Sequence, residues 1–362
     1  MAAEIDRVVA QVPPLRELEA LRDVPYVFLD RDEFQVTLEE ILAEEVDREQ
    51  LAVEGQLLIR LGLLPEDADL YELLRELYGS QIAAFYRTDT RSFYVIEREQ
   101  PFAALDRMIV AHEYTHALQD QHFDLEGTRI TDPAEGDAAL AQLAVIEGDA
   151  TLLMFRWAFE HLTFGEQLEL LTGLVPTPTD QQLLDSMPPI LRRQLEFPYS
   201  DGFRFASAVE ARGGWAAIDE ALASPPISTE QILHPERYFA GDDPVLISAP
   251  DLAGALGAGW QRTYSQTMGE LNMQVWLEDA QAAAGWGGDR LVMYEHLDGR
   301  WLIDWQTTWD TEADAAEFQA RATDLVASVQ GHMLIDPDPE TASVRVWLAD
   351  SAETMDLAQP PR

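Results

Sequence analysis

Five consecutive residues, His112-Glu113-Tyr114-Thr115-His116, form the pattern HExxH. Side chains four apart on a helix differ by about 40° in azimuth, so the two imidazoles leave one face and can ligate a single ion. Glu113 lies about 100° round from His112, beside an ion rather than on it, where a carboxylate can take a proton from an activated water. Leu105, Met108, Ile109, His112, Thr115 and His116 continue one stripe at helical spacing, which turns both histidines inward. The plainer alternative is a pair of surface histidines, or two core histidines with ordinary partners. The stripe and the residues downstream weigh against it.

A catalytic zinc usually has three protein ligands and a water. The chain has no cysteine, so the third must be His or a carboxylate. Two residues compete. His122 stands where HExxHxxGxxH has its last histidine, but the chain-turning glycine of that motif is Gln119 here. On an unbroken helix His122 would sit about 240° round from His116. Glu147 lies in Val145-Ile146-Glu147-Gly148-Asp149-Ala150, with apolar residues on both sides that disfavour a solvated position. A second helix packed on the first could present Glu147, and Gly148 would permit close approach. Asp149, Asp137 and Asp124 are candidates to orient a ligand histidine through its other ring nitrogen. A developing oxyanion needs a further electrophile besides a metal. His234, Tyr238, Tyr199 and Arg204 are the candidates. His234, in a Pro-flanked loop, is preferred, and Tyr199 and Arg204 read as structural.

The elements that must hold these residues follow from periodicity and punctuation. The active helix spans about 102–121 and the Glu147 helix about 134–160. A short strand at 26–29 and a hairpin, 82–86 with 93–96, precede them. One long helix is expected over 37–62 and another over 68–78. A helix over about 203–211 closes at Gly213-Gly214. From 250 the character changes: a helix near 265–283, strands at 291–296 and 301–305 joined by an Asp298-Gly299 turn, a helix over 311–328 and a last strand at 342–348. This gives an α+β fold of two parts, a mainly helical domain over 1–249 and a smaller α+β domain over 250–362. The tryptophans of 276–309 read as the core of the second.

Composition narrows the function. The 362 residues carry a formal charge of −42, and all 24 basic residues are arginine. Such a charge opposes nucleic acid and anionic membrane surfaces as partners. No run of 18 or more apolar residues appears, so no transmembrane segment is expected. The first residues do not read as a secretory signal. An extracytoplasmic location would follow only if such a segment had been removed from a precursor.

HEYTHALQDQHFDL at 112–125 with EGDA at 147–150 resembles the gluzincin type of zinc metallopeptidase. It is most similar to a group of bacterial and archaeal metallopeptidase-like proteins that share both motifs. Weaker similarity runs through Phe197-Pro198-Tyr199, Gly213-Gly214-Trp215, 228–238 and 285–290, so it covers about 20–350. The resemblance implies a zincin-like catalytic domain with a small N-terminal sheet. It implies Zn2+ on His112, His116 and Glu147, Glu113 as general base, and a peptide or protein substrate. It also places a strand at Ser92 to Glu97 as the one that pairs with an extended substrate. Gluzincins hold an Asp four residues after the ligand Glu; here that position is Thr151, which leaves Asp149 to substitute. The alternative is a metal-binding or interaction protein without turnover on the same fold. The intact Glu113 favours the enzyme, since a scaffold needs no base beside its ion.

Overall fold

The computed structural model describes residues 1–81, 84–97, 102–173, 186–338 and 340–358. The first part of the chain runs α1 (Ala2–Arg16), β1 (Tyr26–Leu29), α2 (Arg31–Glu45), α3 (Arg48–Arg60), α4 (Leu70–Gln81), β2 (Ala84–Arg87) and β3 (Ser92–Ile96). It continues through α5 (Ala104–Phe123), α6 (Gly136–His161), α7 (Phe164–Gly173), α8 (Pro189–Ala223), α9 (Thr229–Leu233) and α10 (Pro235–Ala240). The second part holds α11 (Ala253–Leu256), β4 (Trp260–Gln266), α12 (Gly269–Leu277), α13 (Ala280–Ala283), β5 (Trp286–His296) and β6 (Trp301–Trp309). It ends with α14 (Glu312–Asp324), β7 (His332–Asp338), β8 (Ser343–Ala349) and α15 (Ala352–Ala358). The class is mixed α+β.

The structure departs from the sequence expectation at several elements. The single helix over 37–62 is two, because Asp47 accepts from the Glu49 and Gln50 backbone N–H groups and so starts α3 afresh. Residues 2–16, for which the sequence suggested no helix, form α1, whose stripe of Ile5, Val8, Val12 and Arg16 is fully buried. Pro13, Pro14 and an arginine in the apolar stripe hide it. The helix near 265–283 begins instead as β4, and β7 is an additional strand. Ile82 of the expected hairpin lies outside the described residues.

The small sheet has the order β1-β3-β2, with β1 parallel and β2 antiparallel to β3. β3 therefore has a neighbour on each side. The strand expected to receive substrate has no open edge, and the open edge beside α5 belongs to β2. α5, α6 and α8 form the helical layer, with α1 across it, around a core of Val8, Val12, Ala111, Leu118, Ala144, Phe197 and Phe205. α6 and α8 approach to backbone contact. A Cβ on Gly148 would stand 2.2 Å from the Gly202 carbonyl oxygen, and one on Gly202 would stand 2.2 Å from that of Ala144. By length and mean hydropathy α6 is able to cross a membrane, although its charged residues keep it from reading as an unbroken apolar run. It carries buried Asp137 and Asp149, and 56% of its most apolar window is covered by protein, as in a core helix.

The second sheet is antiparallel in the order β4-β5-β6-β8-β7. Trp276, Trp286, Trp305 and Trp309 form its core with Phe318, as composition suggested. Leu57 and Leu61, from α3 and the residue after it, belong to the same core. Trp276 Nε1 donates to the Leu61 carbonyl at 3.1 Å, and Arg60 pairs with Glu295 at 2.6 Å. A boundary at 249 thus divides the chain but not the packing.

Candidate metal centre

α5 delivers His112 and His116 one turn apart on its buried face, and α6 crosses it to deliver Glu147. His112 Nε2 lies 3.0 Å from Glu147 Oε2 and 3.0 Å from His116 Nε2. His116 Nε2 lies 3.4 Å from the same Glu147 oxygen. A tetrahedral ion with ligands at about 2.0–2.1 Å spaces their atoms about 3.3 Å apart, so this triangle has the size such an ion requires. His112, His116 and Glu147 form a group that could hold a metal ion. Of the two candidates for third ligand, the structure brings in Glu147. His122 points the other way, its Nε2 2.8 Å from the Glu19 carbonyl oxygen, as the unbroken helix required.

The three groups are coupled through their charges. Burial alone would depress His116, but the Glu147 charge and hydrogen bond outweigh it and push the imidazole up to about 9. Burial alone would raise Glu147, but His116 and His112 hold it well below the usual carboxylate range.

Glu113 is buried beside the group without joining the triangle. Burial pushes its carboxyl up, against the pull of His112, His116 and the backbone N–H of Tyr86. That N–H comes from β2, whose position is also fixed through the Tyr86 hydroxyl, which donates to Asp120 at 2.9 Å. Burial and Asp120 push the Tyr86 phenol up to about 12.

Behind the ligands lies a polar chain that sequence reasoning identified only in part. Gln119 Oε1 is 2.8 Å from His116 Nδ1, while its Nε2 donates to Asp149 Oδ2 at 2.8 Å and to the Ile146 carbonyl at 3.0 Å. Because both acceptors claim the NH2 group, the amide oxygen faces the imidazole. Nδ1 of His116 therefore donates, and Nε2 is the nitrogen that points into the triangle. Asp149 reaches His116 only through Gln119, not directly. The signal for Gln119 was its place three residues after His116, on the same helix face. Asp149 Oδ1 in turn accepts from Arg16 Nε at 2.7 Å, a contact 133 residues apart in sequence and invisible from motif spacing. His112 Nδ1 is buried with no hydrogen-bond partner among the described residues.

The remaining candidates lie elsewhere or act differently. His234 binds Glu270, Nε2 to Oε1 at 3.1 Å, and that hydrogen bond, despite burial, raises its pKa. It follows α9, whose Thr229 bonds to Asp137 at the start of α6, ten residues before Glu147 and about 15 Å from it along the helix. The structure thus brings neither His234 nor Asp137 to the histidines. Tyr238 packs its ring on Phe205 and donates to the Ser224 carbonyl at 3.3 Å. Arg204, itself exposed on α8, is paired with the buried Asp201, and Asp124 ends α5, accepting from Gly127 N–H at 3.3 Å. Tyr199, read from sequence as structural, lies against the site. Its ring faces that of His112 at 6.1 Å and 30°, and it is 46% exposed.

Residues 258–358 match a family described as a domain of unknown function, DUF8575. Neither the curated proteins nor the solved structures contain a match.

Proposed function

We propose that the protein is a zinc-dependent peptidase. The observation that carries this reading is the convergence of His112, His116 and Glu147 on one point, with a buried carboxylate of raised pKa, Glu113, beside it. A zinc ion held there would supply Lewis acidity, polarising a carbonyl and making a nearby water acidic near neutral pH. Glu113 then accepts that water's proton and returns it to the departing amine. The raised pKa brings it closer to the operating pH, where a general base works best. Tyr199 takes the part first given to His234, offering its hydroxyl to the carbonyl oxygen as negative charge develops. The edge of β2 supplies backbone groups for an extended peptide, apart from the Tyr86 N–H that Glu113 holds. The charge of −42 makes the surroundings attractive to cationic or neutral peptides and repels acidic ones.

The test is metal analysis and a peptide-library assay on wild type and Glu113→Gln. Zinc in both, with the variant slower by about 10²–10⁴-fold, supports the peptidase. Zinc in both and turnover in neither would leave a metal-binding protein without catalysis. Zinc in neither would overturn both readings.

A further inference from the structure

We infer that Arg16 and Gln119 are positioning residues for the ion, acting on it through His116; the inference rests on the metal reading above. Four side chains form one buried chain from the N-terminal helix to the ligand. Arg16, Asp149 and Gln119 are each 0% exposed and His116 is 8% exposed. The contacts between neighbours are 2.7, 2.8 and 2.8 Å. Arg16 is itself held from its far side. Its Nη2 donates to Asp219 at 2.6 Å, and its guanidinium lies 4.6 Å from the centre of the Trp215 ring.

A tie that only docked α1 would not need this chemistry. Position 16 continues the apolar stripe of Ile5, Val8 and Val12. A buried ion pair is often no more stabilising than apolar residues of the same volume. What Arg16 supplies is direction. Its guanidinium pairs with Asp149, and the other oxygen of that carboxylate accepts from the NH2 end of Gln119. The amide oxygen is then turned to His116 Nδ1–H, which leaves Nε2 as the nitrogen facing Glu147 and His112. Were the amide to turn over, its NH2 would face Nδ1, and the ring proton would move to Nε2, into the place of the ion. Gln119 also holds the Ile146 carbonyl, the peptide just before Glu147, so one side chain sets two ligands.

The experiment is a double-mutant cycle on the full chain, read as zinc affinity by chelator competition together with the melting temperature of the zinc-free forms. Gln119→Leu removes the relay without touching α1 and is expected to weaken zinc by about 10–100-fold. Arg16→Lys cannot span both aspartates and is expected to weaken zinc by a smaller factor in the wild-type background, and by none in the Gln119→Leu background. A merely structural role would lower the melting temperature and leave the affinity of the folded protein unchanged. If Arg16→Lys does not fold, Asp219→Asn takes its place in the cycle. Wild-type zinc affinity in Gln119→Leu overturns the inference while leaving the metal reading intact. An Arg16→Lys effect that persists in full without Gln119 removes Arg16 from it. A wild type that binds no zinc overturns the metal reading itself, and this inference with it.

Discussion

Glu147 contributes the only negative charge among the three converging atoms, which makes it the most consequential of them for a divalent ion. Glu147→Ala is expected to lower zinc affinity by more than the roughly 10–100-fold that loss of a supporting hydrogen bond costs. His122→Ala is expected to leave zinc content unchanged, since His122 is spent on the Glu19 carbonyl. Metal analysis of the two purified variants checks both statements. Tyr199→Phe is expected to retain zinc while slowing turnover, by about 10²-fold if its hydroxyl meets the developing oxyanion. At this scale much was legible. HExxH implies its own geometry because four residues on one helix fix two side chains. Glu147 was legible as a polar residue in an apolar run. Arg16 was not, because nothing in the first sixteen residues says which buried acid they will meet. His234 misled for a related reason: a proline-flanked histidine is placed by its loop, and the loop's destination is a tertiary fact.

Among the elements, the pairing of α6 with α8 decides where Glu147 stands. Gly148→Ala would drive a Cβ into the Gly202 carbonyl, and backbone cannot move aside as a flexible side chain does. The expected cost is about 1–3 kcal/mol in denaturant unfolding, with weaker zinc binding because the displaced residue neighbours Glu147. An Ala variant of equal stability and affinity would show that the two helices are free to separate. The helices carrying the site could be drawn from periodicity because both are long and their apolar faces are regular. The break between α2 and α3 could not, because the apolar rhythm continues across Asp47 and only the cap interrupts it. Strand order was equally out of reach: β3 looks like an edge or a centre with the same five residues, and only the placement of β1 decides.

For the molecule as a whole, buried acids gather where the start of α6 meets α9, whose Thr229 hydroxyl also accepts from the Leu271 N–H of the second part at 3.2 Å. Asp137 accepts from Thr229 Oγ1 at 2.6 Å, and burial, against that bond, pushes its carboxyl up to about 7. Burial likewise pushes Glu230 up to about 8, against the pull of Arg237, whose Nε lies 3.3 Å away, and with the charges of Glu270 and Asp310 adding to the rise. In the unfolded chain these groups would lose their protons near 3.8 and 4.5. Between those values and about 7 to 8 the folded state binds more protons than the unfolded one, so stability falls as pH rises. His234, raised by Glu270, contributes with the same sign. The expected outcome is a melting temperature that drops from pH 5 to pH 8, corresponding to about a few kcal/mol. Glu230→Gln, which cannot ionise, is expected to flatten the profile and to melt higher than wild type at pH 8.

Leu57 and Leu61 carry one more consequence. The helix that completes the second sheet's core leaves the ribosome long before the strands it serves: the hydrogen bond from Trp276 to Leu61 spans 215 residues. The helices of the metal centre are synthesised in between. The chain therefore cannot finish its first part and append the second. Closing that long loop is entropically slow, and the apolar face of α3 waits uncovered until it happens. A chain cut at residue 249 is expected to keep that face exposed and to bind a hydrophobic dye or aggregate during refolding. Any exchange of the 258–358 unit between proteins would have to carry a matching helix from the other end of the gene.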